Sequence, residues 1–196
     1  MVTKEELIKF EDDIAKSFNN KEIRAPVHLY FNNEDEIMEI FKAVQKDDWV
    51  CATWRNHYQC LLKGVPKEEL KRRILHGKSM VMCIAEYNIV CSSIVGGIPS
   101  IAVGIAWGLK LENSPHRVWC FVGDMSMETG AFHEALKYAA GHQLPITWIV
   151  EDNGKSVETP TKETWGIPTG KGPSILYYKY TNTKVPHSGA GIRVSF

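Results

Sequence analysis

No unbroken apolar run of the roughly 18 residues needed to cross a bilayer occurs in this sequence, so no membrane-spanning helix is expected. Charge of one sign is not in excess either. Lys plus Arg and Asp plus Glu both number 23, which removes the bulk electrostatic reason to expect nucleic acid or an anionic membrane as partner. Cysteine is sparse: Cys51, Cys60, Cys83, Cys91 and Cys120 are five in number, scattered, and without the CxxC spacing of a zinc or redox site. They read as small buried hydrophobes. The N-terminus MVTKEELIKFEDD is acidic and amphipathic, where a secretory leader is basic and then apolar. The expectation is a cytoplasmic protein with a small-molecule or protein partner. Internal repeats, low-complexity tracts and a Pro/Gly/Ser linker are also lacking, which predicts one domain over residues 1–196.

What is present is organised around Arg117–Asn153, RVWCFVGDMSMETGAFHEALKYAAGHQLPITWIVEDN. Two apolar runs, VWCFV and ITWIV, each end in a polar cluster and enclose an amphipathic segment, the signature of strand, helix, strand. A right-handed parallel crossover puts Asp124 and Asn153 just past the carboxyl ends of their strands, where open α/β sheets bind ligands. A carboxylate and an amide oxygen converging there suit a hard divalent cation carrying a phosphate group.

The flanking chain supplies further elements. Thr3 as N-cap, a Glu at the third helical position, and Leu7, Phe10, Ile14 and Phe18 at three- and four-residue spacing predict a helix over 3–19. Pro26 precedes an extended piece, Val27 to Phe31, which carries His28; Asn32 or Asn33 then caps a second helix to about Val44. DDWVCATW predicts a strand delivering Arg55 and His57 to the same sheet edge as Asp124 and Asn153. The planar arginine fork matches phosphate oxygens. Lys71, Arg72 and Arg73 read as the exposed face of a short helix. In SSIVGGIPSIAVGIAWGLKLE, ligand approach is expected around Ser93 to Gly97, and close helix packing or a subunit interface at Gly104. Beyond Asn153 a long polar loop, then the strand SILYYKYT, then a tail with His187 are expected.

GD, a helix and EDN, with Asp124 and Asn153 separated by 28 residues, resemble the thiamine-diphosphate motif, usually GDG…NN. With IRAPVHLYFNNED, ATWRNHYQCLLKGVPKEEL, GKSM at 77–80 and IVGG, the sequence resembles alpha subunits of thiamine-dependent 2-oxo-acid dehydrogenases of the pyruvate dehydrogenase type. The resemblance implies an α/β thiamine-diphosphate-binding fold, a parallel sheet flanked by helices. It implies Mg2+ held by Asp124, Asn153 and the backbone carbonyl of Lys155. Arg55 would pair with the diphosphate beside Trp54, which stands where the family has tyrosine; Met125 and Ser126 follow the metal ligand. Ser93 and Val95 match contacts to the thiamine rings, and His28 and His57 match histidines on the substrate side.

The resemblance also implies an activating glutamate from a beta-type subunit in an alpha2-beta2 heterotetramer; this chain offers no candidate for it. The departures are Met125 for the motif glycine, Asp152 for the first asparagine, Val81 for a histidine, and no counterpart of the C-terminal phosphate-contact loop unless HSG at 187–189 substitutes. Decarboxylation of a 2-oxo acid with acyl or aldehyde transfer is the implied reaction. The alternatives are a split transketolase-like half moving a two-carbon unit between sugars, and a partner-binding subunit without chemistry.

Overall fold

The computed structural model describes residues 2–157, 159–166, 175–181 and 184–185. Its first element is α1 (Lys4–Asn19), opened by the expected capping box: the Thr3 hydroxyl accepts from the Glu6 amide and the Glu6 carboxylate accepts from the Thr3 amide. Leu7, Phe10, Ile14 and Phe18 are its buried face. Then come α2 (Glu34–Phe41), β1 (Trp49–Ala52), α3 (His57–Leu62), α4 (Lys67–Leu75), β2 (Cys83–Ile84), β3 (Ile89–Cys91) and α5 (Gly97–Leu111). The second half holds β4 (Val118–Gly123), α6 (Asp124–Met127), α7 (Gly130–Gly141), β5 (Ile146–Asp152), β6 (Lys155–Ser156), β7 (Thr159–Pro160), α8 (Thr161–Trp165) and β8 (Ile175–Lys179).

The main sheet runs β2-β3-β1-β4-β5-β8. All its pairings are parallel except β2 with β3, and β4 lies in register with β5 from Val118 opposite Ile146 to Gly123 opposite Glu151. Period-two alternation sorts the central strands between two apolar layers. Trp119, Phe121 and Ile149 enter the layer shared with α1 to α4, whereas Val118, Cys120, Val122, Trp148 and Val150 enter the layer shared with α5 and α7. Burial on both faces explains why VWCFV and ITWIV are continuous apolar runs rather than half-polar ones. Among the described residues, no helix is long and apolar enough to cross a membrane.

Several expectations are met with adjustment. α2 ends at Phe41, and its N-cap Asn33 makes no side-chain cap bond; the Asn33 amide instead donates to the Tyr178 hydroxyl at 3.0 Å. On α4, Lys71 pairs with Asp13, and Arg72 and Arg73 pair with Glu69, a solvated face as expected. Cys51, Cys60 and Cys120 are buried free thiols, but Cys83 is exposed, because β2 is a two-residue edge strand. The single helix expected between β4 and β5 is broken at Thr129, which caps α7 by accepting from the Phe132 amide.

The loop expected after Asn153 instead contains the β6–β7 hairpin and α8. Gly104 lacks the expected packing role among the described residues, since an added Cβ would meet nothing within 4 Å. Gly96 is constrained by the protein around it. It adopts φ +74°, and a Cβ there would sit 2.9 Å from the Thr129 hydroxyl. His187 and the tail lie outside the described residues.

Candidate diphosphate and cation site

Three chain segments end at the carboxyl edge of the sheet and close one cavity. The turn after β1 brings Thr53, Trp54 and Arg55, the β4–α6 junction brings Gly123 to Ser126, and the turn after β5 brings Asn153, Lys155 and Ser156. The free volume is about 30 Å³, room for two or three waters or a partly hydrated ion.

Asp124 is buried at the first position of α6. Burial raises its carboxyl above the usual range, only partly offset by a hydrogen bond from the Thr161 hydroxyl. A cation beside this carboxylate would reduce the cost of burying its charge. Asn153 is oriented from both ends: its amide nitrogen faces the Tyr180 hydroxyl at 3.5 Å, and its amide oxygen accepts from the Lys155 amide at 3.3 Å. That oxygen keeps a second lone pair for a ligand. Among the described residues no three His, Cys, Asp or Glu side chains gather as a metal cluster. A cation at this edge would be held by mixed carboxylate, amide and backbone oxygens, the donor class of Mg2+.

Arg55 is buried and held by several partners. Its Nε donates to the Leu29 carbonyl at 3.1 Å and its Nη1 to the Tyr180 hydroxyl at 3.4 Å, and the guanidinium lies 5.8 Å from the Tyr30 ring centre. Trp54 lines the same cavity with its ring tilted against His28, 5.5 Å between centroids. Met125 has no left-handed backbone, because α6 begins one residue earlier and gives it helical dihedrals. Methionine is therefore tolerated where glycine is usual. Its sulfur accepts from the Trp165 indole at 3.0 Å.

The remaining candidates are placed elsewhere. Ser126 lines the cavity, but its hydroxyl accepts from the Gly96 amide at 3.4 Å. Ser93 and Val95 lie before α5 and do not line this cavity, Val95 being 39% exposed. His28 is buried beside Trp54. His57 does not line the cavity: it is fully buried, with Nδ1 3.0 Å from Glu11 Oε2 and Nε2 2.8 Å from Ser79 Oγ.

Sequence reasoning missed Glu151, the first residue of EDN. It is buried on the cavity wall, where its carboxyl accepts from the hydroxyls of Tyr30 (2.7 Å) and Tyr178 and faces the Gln59 amide at 3.5 Å. Burial pushes its pKa up to about 7, against the lowering effects of Tyr178, Tyr30 and Arg55. The folded protein thus keeps a proton that the unfolded chain releases near 4.5. The associated stability is complete below that value and is lost as pH rises to about 7, on the order of 3 kcal/mol. Urea unfolding from pH 4.5 to 7.5 should show the parent losing about that much more stability than Glu151→Gln. Parallel profiles would remove Glu151 as the titrating group.

A doubly covered, mostly parallel sheet with an arginine, a carboxylate and an amide oxygen gathered at its carboxyl edge defines an open α/β fold of the kind that binds ligands at that edge. The profile of the Dehydrogenase E1 component family matches residues 3–170, and the chain belongs to that family. It is 30% identical over 165 residues to the alpha subunit of acetoin:2,6-dichlorophenolindophenol oxidoreductase of Bacillus subtilis, covering 79% of this chain and 50% of that protein. To the pyruvate dehydrogenase E1 component subunit alpha of Porphyra purpurea it is 29% identical over 177 residues, covering 81% and 51%. The chain spans about half the length of these curated relatives. It is also similar to a solved structure from Mycobacterium smegmatis described as a candidate thiamin diphosphate-dependent enzyme, at TM-score 0.47 and 18% identity, covering 78% of this chain and 24% of that one.

Proposed function

We propose that this chain is the cofactor-anchoring, alpha-type half of a thiamine-diphosphate-dependent enzyme that decarboxylates a 2-oxo acid and passes on the acyl or aldehyde unit. The observation that carries this reading is the convergence of Arg55, Asp124, Asn153 and Lys155 on one cavity from three separate turns. Asp124 and Asn153 supply side-chain oxygens to Mg2+, with the Lys155 carbonyl as a further ligand, and Arg55 offsets diphosphate charge. When bound, thiamine diphosphate supplies the nucleophilic carbon and the electron sink for decarboxylation.

This chain's own contribution is to bind and orient. Tyr180 accepts from both Arg55 and Asn153, so one hydroxyl joins the cation side of the site to its phosphate side. Trp54 covers the cavity without a hydroxyl to donate. The activating glutamate and the rest of the substrate pocket come from a beta-type partner in an alpha2-beta2 assembly. Calorimetric titration with thiamine diphosphate and Mg2+, with and without a beta-type chain, tests the reading: saturable Mg2+-dependent heat is expected. No binding in either arrangement would overturn it.

A further inference from the structure

Thr161 was not among the residues to which the sequence assigned a role, yet its hydroxyl donates to Oδ2 of Asp124. The two residues are 37 positions apart, and the path between them is built rather than incidental. Past Asn153 the chain turns at Gly154 (φ +78°), pairs β6 with β7, and returns so that the Thr161 amide donates to the Gly154 carbonyl at 3.0 Å. One helical turn further, the Trp165 indole donates to the sulfur of Met125, the residue after Asp124. Two side chains of α8 therefore grip two consecutive residues at the start of α6.

The side from which Thr161 approaches decides its role. The cavity closed by Arg55, Asn153 and Lys155 includes Asp124 but not Thr161. Thr161 lies instead in a neighbouring cavity of about 430 Å³ that shares Asp124 and is walled by Glu128, Asp152, Lys162, Trp165 and Tyr177. Its hydroxyl thus meets the carboxylate at the second cavity, and Thr161 does not line the space a cation would take. Carboxylates that bind metals are commonly fixed by such an outer hydrogen bond, and losing it typically costs about 10- to 100-fold in metal affinity.

Resting on the function proposed above, we infer that Thr161 is a positioning residue for the cation site. It holds Asp124 through a strap formed by the same segment that carries Asn153 and Lys155. The test uses the full chain, with Mn2+ and thiamine diphosphate as probes, and reads free Mn2+ by electron paramagnetic resonance. Thr161→Val should weaken Mn2+ binding by about 10-fold or more, while Thr161→Ser, which keeps the hydroxyl, should stay within about threefold of the parent. Thr161→Ala carries the same expectation as valine, so a fold disturbed by valine's shape does not decide the matter; thermal unfolding identifies that case. Unchanged binding in the hydroxyl-less variants would overturn the inference alone. So would tighter binding, which would make Thr161 a competitor of the cation. A parent chain that fails to bind Mn2+ under all conditions would overturn the proposed function and, with it, the inference.

Discussion

Asp124→Ala should abolish Mg2+-dependent binding of thiamine diphosphate, lowering affinity by at least about 100-fold, while the chain remains folded. Bonds made by charged groups contribute about 1.5–3 kcal/mol each, and each 1.4 kcal/mol is a tenfold change in affinity. A carboxylate that serves both the metal and the register of its neighbours should therefore reach the 100-fold level. The folded state has less to lose. Burial already opposes ionisation of Asp124, so removing it relieves a desolvation cost while deleting a hydrogen bond from Thr161. The strap keeps its second attachment, Trp165 to Met125, and α6 keeps its place after β4. Calorimetry with Mg2+ and thiamine diphosphate, beside a urea unfolding curve, separates the two effects. Affinity within threefold of the parent would remove Asp124 from the metal site.

The part of this site that could be read from the sequence is the part set by local pattern. VWCFV and ITWIV are short, apolar and bounded by polar residues, so β4 and β5 and the positions of Asp124 and Asn153 at their ends follow from the length and boundaries of the runs. Thr3 and Glu6 announce α1 because both partners of the capping box lie within one turn. Arg55 was legible for a similar reason, as the charged residue that ends the apolar stretch around β1, although the strand itself stops at Ala52.

What escaped was set by contacts between distant residues. Glu151 looks like part of a solvated EDN turn, yet it is buried by Tyr30, Tyr178 and Gln59, which stand 121, 27 and 92 residues from it. The strap after Asn153 rests on two-residue strands, too short to carry a period, and on a threonine whose partner is 37 residues earlier. The break at Thr129 did leave a signal, a Thr-Gly pair placed as an N-cap, which the expectation of one continuous helix overrode. The partners of His57 were equally out of reach of local pattern: its ring lies between the Glu11 carboxylate and the Ser79 hydroxyl, 46 and 22 residues away.

That core arrangement leads to the largest expected effect on stability. Glu11→Ala should lower the free energy of unfolding by about 3–5 kcal/mol, as expected when two buried groups lose their acceptor at once. Glu11, His57 and Ser79 are all fully buried. One Glu11 oxygen accepts from the Tyr30 amide at 3.1 Å, and the other lies 3.0 Å from His57 Nδ1. Alanine would leave both of those groups without their acceptor in a dry interior, at about 1–3 kcal/mol each. It would also open a void beneath α1. The contact joins α1, the start of α3 and the turn at Ser79, while Tyr30 carries the effect onward, since its hydroxyl reaches Glu151 on the cavity wall. Destabilisation should therefore be accompanied by weaker cofactor binding, though no atom of Glu11 lines the site. Glu11→Gln keeps an acceptor for one partner and should recover part of the loss. Urea unfolding of the three proteins at one pH checks the order parent, glutamine, alanine. A loss below about 1 kcal/mol for alanine would mean that solvent reaches this cluster and that it does not join α1 to the site.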